Sequence, residues 1–162
     1  CEPEDYKSLW KWTVEYMHAS GVHNLLYAYS TDIFWSEEQY MLRYPGDEWV
    51  DIMGWDAYHR PQEWDFLKGM ADMAKTVSTL AERHHKLAAL TETGLESVYM
   101  NDWWTSYLLP SVRGYGLSWV LVWRNSQNME SHFCAPYSGH APEDDFRKMV
   151  DEEDLLPADD KK

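Results

Sequence analysis

Short apolar runs and amphipathic stretches take turns along this chain, and that rhythm leaves few folds open. The runs at residues 22–30 (VHNLLYAYS), 49–58 (WVDIMGWDAY), 87–92 (LAALTE) and 117–125 (LSWVLVWRN) are short and apolar with polar ends, and all but the third are rich in aromatic and β-branched residues. Each reads as a strand. Helical spacing fills the gaps. Asp5 can cap a first helix carrying Tyr6, Leu9, Thr13, Tyr16 and Met17, with Gly21 where a C-terminal cap belongs. Phe66, Met70, Met73, Val77 and Leu80 alternate steps of four and three, which makes one apolar helix face. That helix is expected to begin at Pro61, to carry Glu63 and Asp65 at its positive end, and to finish on Arg83, His84, His85 and Lys86. A short helix is expected from Ser36, a turn at residues 44–47 (YPGD), a helix over 97–109 stopped by Pro110, and a last helix over 141–153.

The strand runs lack strict alternation, as expected when both faces of a parallel sheet are covered. Strands that alternate with helices specify an α/β fold. Residues 1–155 read as one structural unit and residues 156–162 as a frayed tail. The formal net charge of −14 and the scattered Lys and Arg exclude a phosphate backbone as a partner. No apolar run approaches the roughly 20 residues of a membrane span. Ten Trp and eleven Tyr stand against four Phe, a choice of flat rings with polar edges that suits either a core or a carbohydrate groove. Cys1 and Cys134 allow one disulfide, which spacing does not decide.

Parallel α/β folds gather their chemistry at the C-terminal strand ends. Here those ends read YAYSTD, GWDAY, TETG and VWRN. The carboxylate in TETG, Glu92, sits between two threonines and ahead of Gly94, which is expected to let the loop turn away. Side-chain alternation then predicts Ala88 and Leu90 on the side of Glu92, with Leu87, Ala89 and Thr91 facing helices. Asp56 and Tyr58 are two apart and share a side of their strand. A Tyr hydroxyl beside a carboxylate donates to its charged form and holds it ionised, which suits a nucleophile.

LLYAYSTD, YPGDEWVDIMGWDAY, ALTETG and WVLVWRN resemble, in order and spacing, the C-terminal half of the β-mannanases of glycoside hydrolase family 26. The resemblance covers nearly the whole chain. It implies the second half, about strands five to eight with their helices, of a (β/α)8 TIM barrel that hydrolyses β-1,4-mannosidic bonds with retention. By resemblance Glu92 is the nucleophile, Tyr58 its hydrogen-bond donor, and Asp56 a neighbour that organises the sugar site. Trp123 and Arg124 match residues that stack on and bond to sugar, while Asn125, Tyr29 and His132 are further candidates to line the cleft.

The resemblance also implies an acid/base glutamate preceded by histidine, on a strand before this chain's first helix. No His-Glu pair occurs in the sequence. The chain is therefore expected to be a fragment whose partners are β-mannan and the N-terminal half of the barrel, and to be inactive alone. A β-1,3-xylanase, a mixed-linkage β-glucanase or a non-catalytic carbohydrate-binding domain are the competing expectations. Secretion or surface display follows only from the substrate. No cofactor is expected. The seven histidines lack the clustering of a metal site, and the pairs Glu37-Glu38 and Asp144-Asp145 read as solvated faces. Glu96 either lines the cleft or favours the next helix start.

Overall fold

The computed structural model describes residues 2–60, 64–124 and 133–152. The expected positions of Pro61, Glu63, Asn125, His132 and residues 153–162 lie outside these, as does Cys1. Helix α1 spans Pro3–Ala19, β1 Ala28–Thr31, α2 Glu37–Met41, β2 Ile52–His59, α3 Phe66–His84, β3 Leu87–Leu95, α4 Leu109–Val112, β4 Val120–Val122 and α5 Glu143–Val150. The strands form one four-stranded sheet in the order β1-β2-β3-β4, with every neighbouring pair parallel. The α/β alternation of the sequence is thus the alternation of the fold.

Local chemistry sets the element ends. The first turn of α3 is capped by Asp65, whose side chain accepts from the Lys68 amide, so the helix begins at Phe66 and not at Pro61. Its C-terminus is closed by His85 in the left-handed region at φ 55°. Ahead of α1 stands Glu2, with no side-chain cap, and Pro3 takes the first helical position; Asp5 lies inside the helix. Gly21 (φ 82°) ends that helix as expected.

The expected helix over 97–109 is instead a broken path. A 3-10 turn, Glu96–Val98, bends at Ser97 (φ 61°), and a π-helical turn, Trp104–Leu108, leads into α4. Pro110 does not stop this helix. It occupies the first turn of α4, where the missing N–H costs little. Asp145 of α5 holds the segment together: its carboxylate accepts from the amides of Trp104 (3.0 Å) and Thr105 (3.1 Å) and from the Thr105 hydroxyl (2.6 Å). Asp145 is therefore buried and structural, in contrast to the solvated face expected of it.

One face of the sheet carries the core. Tyr29, Met53, Trp55, Ala57, Ala88, Leu90 and Leu95 project into a cluster with Phe66, Met70, Met73, Val77 and Leu80 of α3, the apolar stripe read from the sequence. Helix α1 reaches the same face through Tyr6 and Trp10, whose rings meet Tyr29 edge-on, and α2 through Tyr40. The opposite face presents Leu87, Leu121 and Trp123, which are 52%, 41% and 36% exposed.

A β-bulge decides which residues stand on that second face. Trp55 pairs with Leu90, but the next residue, Asp56, pairs with Glu92, so Thr91 has no partner on β2. The extra residue inverts the side-chain parity below Glu92. Ala88 and Leu90 face the helices, and Thr91 joins Glu92 on the face away from them, the reverse of simple alternation. Gly54 makes this possible: a Cβ there would stand 2.6 Å from Thr91 Cγ2.

Candidate active site

Ser30, Asp56, Tyr58, Thr91 and Glu92 meet at the C-terminal ends of β1, β2 and β3, on the face away from the helices. Asp56 and Tyr58 alternate with the core residues Trp55 and Ala57, so the strand pleat itself aims them there. Tyr58 Oη donates to Glu92 Oε2 at 2.6 Å. Burial, and then this bond, push the Tyr58 hydroxyl above the usual tyrosine range, so it stays protonated and a donor. Glu92 Oε1 has no hydrogen-bond partner among the described residues.

Asp56 is held differently. Its Oδ1 accepts from Thr91 Oγ1 at 2.7 Å and from Ser30 Oγ at 3.0 Å. The two hydroxyls are themselves 2.5 Å apart, and Thr91 Oγ1 also lies 2.8 Å from the Trp55 carbonyl. Burial raises the Asp56 carboxyl above the ordinary carboxylate range, opposed by those two hydroxyls and reinforced by the negative charges of Glu92 and Asp32.

Aromatic walls flank the pair. Phe133 lies over Tyr58 with ring centroids 4.6 Å apart. Strand β3 continues through Gly94 to Leu95, so Gly94 does not turn the chain away as expected. It gives room instead, since a Cβ there would stand 2.8 Å from Phe133 Cβ. Trp123 is fixed by its amide, which donates to the Thr93 carbonyl at 2.9 Å, and the Arg124 guanidinium lies 5.8 Å from its ring centroid.

Of the residues singled out in the sequence, Asp56, Tyr58, Glu92, Trp123 and Arg124 stand at these strand ends. Tyr29 does not: it faces the helices, 2% exposed, and its hydroxyl donates to the Tyr40 carbonyl at 2.7 Å. Its place one residue before Ser30 puts it on the opposite side of β1. Ser30, Thr91 and Phe133 are the site residues that sequence reasoning missed. The bulge that puts Thr91 on the same face as Glu92 leaves no mark in residue type, whereas Ser30 was readable as the polar end of β1.

No group of three or more His, Cys, Asp or Glu side chains clusters as metal ligands among the described residues. His84 Nδ1 instead lies 2.8 Å from Asp47 Oδ1, and the His18 and His23 rings lie tilted to each other with centroids 5.6 Å apart. No described helix is long and apolar enough to cross a membrane. Cys134 is buried. Glu37 pairs with Arg83 at the surface, and Glu96 is exposed in the 3-10 turn.

Fold and site together define a parallel α/β protein whose carboxylates, hydroxyls and aromatic rings gather at the C-terminal strand ends. The model of glycosyl hydrolase family 26 matches residues 1–133. The chain belongs to that family. It is similar over its whole length to a GH26 β-mannanase from Bacteroides ovatus, at 38% identity and a TM-score of 0.92, and covers 47% of that chain. A GH26C protein of a Muricauda species matches 99% of this chain and 45% of its own, at 34% identity and a TM-score of 0.86. A mannan endo-1,4-β-mannosidase of Bifidobacterium adolescentis is 37% identical over a 97-residue alignment that covers 56% of this chain and 10% of that protein. The chain therefore spans about half the length of the solved relatives it matches.

Proposed function

We propose that this chain carries the nucleophile half of a retaining, endo-acting glycoside hydrolase site for β-1,4-mannosidic bonds in mannan, galactomannan or glucomannan. The observation that carries the reading is the 2.6 Å bond from Tyr58 to Glu92, made between neighbouring parallel strands at their C-terminal ends. A protonated Tyr58 neutralises part of the charge on Oε2 and fixes the carboxylate plane, leaving Oε1 for attack at the anomeric carbon. Attack forms a glycosyl ester on Glu92 while a second carboxylic acid gives its proton to the leaving oxygen. The same second group then takes a proton from water as water displaces the sugar. Trp123 and Arg124 bind sugar beside the reacting ring, and Asn125 and His132 remain candidates for the same cleft.

The second carboxyl must stand about 5–5.5 Å from the nucleophile. Asp56 is engaged by two hydroxyls and is the residue of the chain that orders the sugar site, not the acid. The acid/base belongs to the N-terminal half of a (β/α)8 barrel, in the same polypeptide or another chain. A barrel of this kind takes about 250 residues. The apolar face away from the helices and the edges of β1 and β4, which pair with no further strand among the described residues, fit a half barrel whose other half closes on them. Residues 1–155 are then one partial barrel. Mannan lies outside cells, so the whole enzyme works secreted or at the cell surface.

The test is covalent. In the polypeptide that carries both halves, a 2-deoxy-2-fluoro-mannoside with an activated leaving group should label the peptide containing Glu92, read by mass spectrometry. Glu92→Ala should abolish mannan hydrolysis while oligosaccharide binding survives, which separates an enzyme from a binding domain. Products from mannan, β-1,3-xylan and mixed-linkage β-glucan assign the substrate. Normal hydrolysis by the isolated chain would refute the half-site.

A further inference from the structure

The bulge at Thr91 costs β3 a ladder pairing, and its position calls for a reason. It sits one residue before Glu92, in a strand pair otherwise in continuous register from Ile52 and Leu87 to His59 and Leu95. Its effect is to put two consecutive residues, Thr91 and Glu92, on the same face, with Thr91 within bonding distance of Ser30, Trp55 and Asp56.

Counting protons shows what this arrangement does. Thr91 and Ser30 each have one hydroxyl proton. The acceptors around them are Asp56 Oδ1 and the Trp55 carbonyl, plus each other. Two protons cannot serve every contact at once. The arrangement that satisfies the charged acceptor best sends one or both protons to Oδ1, because a bond to a carboxylate is about twice as strong as a neutral one. Asp56 Oδ2 receives no hydrogen bond from the described residues. The carboxylate is thus pinned by one oxygen and open at the other, beside Glu92.

We propose that Thr91 and Ser30 are positioning residues: their hydroxyls clamp Asp56 Oδ1 so that Oδ2 stands fixed and unshared beside Glu92, as the acceptor for a hydroxyl of the sugar being cleaved. This rests on the reading of Glu92 as nucleophile. Threonine serves better than serine for rigidity, since its β-branch restricts χ1 and its methyl is wedged against Gly54. A clamp of this kind keeps Asp56 ionised against the burial that raises its carboxyl and against its two acidic neighbours.

The experiment uses the polypeptide carrying both halves. Thr91→Val keeps the shape and removes the hydroxyl; Thr91→Ser keeps the hydroxyl and removes the methyl. Expected for Thr91→Val is a fall in kcat/KM on mannan of about tenfold to a hundredfold, the range for misplacing a group at a reacting centre. The acidic limb of the pH profile should move to higher pH, because Asp56 loses a bond that favours its charged form. Thr91→Ser should restore most of both. Ser30→Ala, at a half-exposed position, should shift the limb in the same direction by less, and serves if Thr91→Val does not fold. An unmoved acidic limb in Thr91→Val and Ser30→Ala, or equal losses in Thr91→Val and Thr91→Ser, would overturn the clamp. Failure of the fluoro-mannoside to label Glu92 in the unmutated enzyme would overturn the nucleophile reading, and the clamp with it. Labelling of Glu92 together with an unmoved limb overturns the clamp alone.

Discussion

Replacing Gly54 by alanine adds one methyl group at the point where β2 faces the bulge. The new Cβ would stand 2.6 Å from Thr91 Cγ2, 3.1 Å from the Ala89 carbonyl oxygen and 3.2 Å from Thr91 Oγ1. To restore ordinary contact, Thr91 must retreat by roughly 1 Å or turn about χ1. Turning breaks its one donated bond, to the Asp56 carboxylate, worth about 1.5–3 kcal/mol. Overpacking in a strand pair costs about 1–3 kcal/mol, and the lower entropy of an unfolded alanine returns about 0.4–1 kcal/mol. The net expectation is a loss of about 2 kcal/mol, read as a shift in the urea midpoint at unchanged m-value. In thermal melts this is a fall of about 4–8 °C for a chain of this size. Tryptophan fluorescence suits both, since Trp55 is buried beside the substitution. A second background isolates the cause. Thr91→Ser deletes Cγ2, the nearest atom, so Gly54→Ala should cost at least about 1 kcal/mol less there. Equal costs in the two backgrounds would refute the claim that Thr91 fills the space glycine leaves.

Other perturbations read different parts of the structure. Tyr58→Phe, in the polypeptide carrying both halves, removes one bond to a carboxylate, worth about 1.5–3 kcal/mol, so kcat on mannan should fall about tenfold to a hundredfold with binding little changed. Asp145→Ala strips three hydrogen bonds from the π-helical segment and should cost about 3 kcal/mol in urea unfolding, with Asp145→Asn losing less because an acceptor remains. His59 is buried, stacks on Phe66 and accepts the Trp103 indole N–H through Nδ1, and burial lowers its pKa below the usual 6.5. Its contribution to stability is therefore complete above about pH 6.5 and lost as pH falls below it, because the unfolded chain takes up the proton first. Unfolding free energies across that range should show this slope, and His59→Gln should flatten it. The isolated chain should bind a hydrophobic dye at the face bearing Leu87, Leu121 and Trp123, and adding the N-terminal half should suppress the signal.

Much of the fold was legible because its causes are local. The four-three spacing from Phe66 to Leu80 names the buried stripe of α3, and short aromatic and β-branched runs between helices name a parallel sheet. Asp56 and Tyr58 were placed on one side of β2 because a regular strand alternates strictly. Where the backbone departs from regularity, the same rules failed. Pro110 was read as a stop because a proline ends a continuous helix, but here a π-turn feeds a new helix in which proline is accepted. Asp145 was read as solvated because its neighbours are acidic, yet its partners lie forty and forty-one residues away in the chain.

The same division runs through the site. Sequence alone determined that a carboxylate ends one strand, that a tyrosine and an aspartate end the next, and that a tryptophan and an arginine end another. Pattern and order carry that much, because strands in a parallel sheet end on one rim. Only the tertiary structure decided that Thr91 turns toward Asp56 and that Tyr29 turns away, since a single extra residue in β3 and the pleat of β1 set those directions. A bulge is fixed by pairing between strands, and Gly54, which leaves room for it, lies thirty-seven residues before Thr91. No stretch of sequence read by itself contains both halves of that contact.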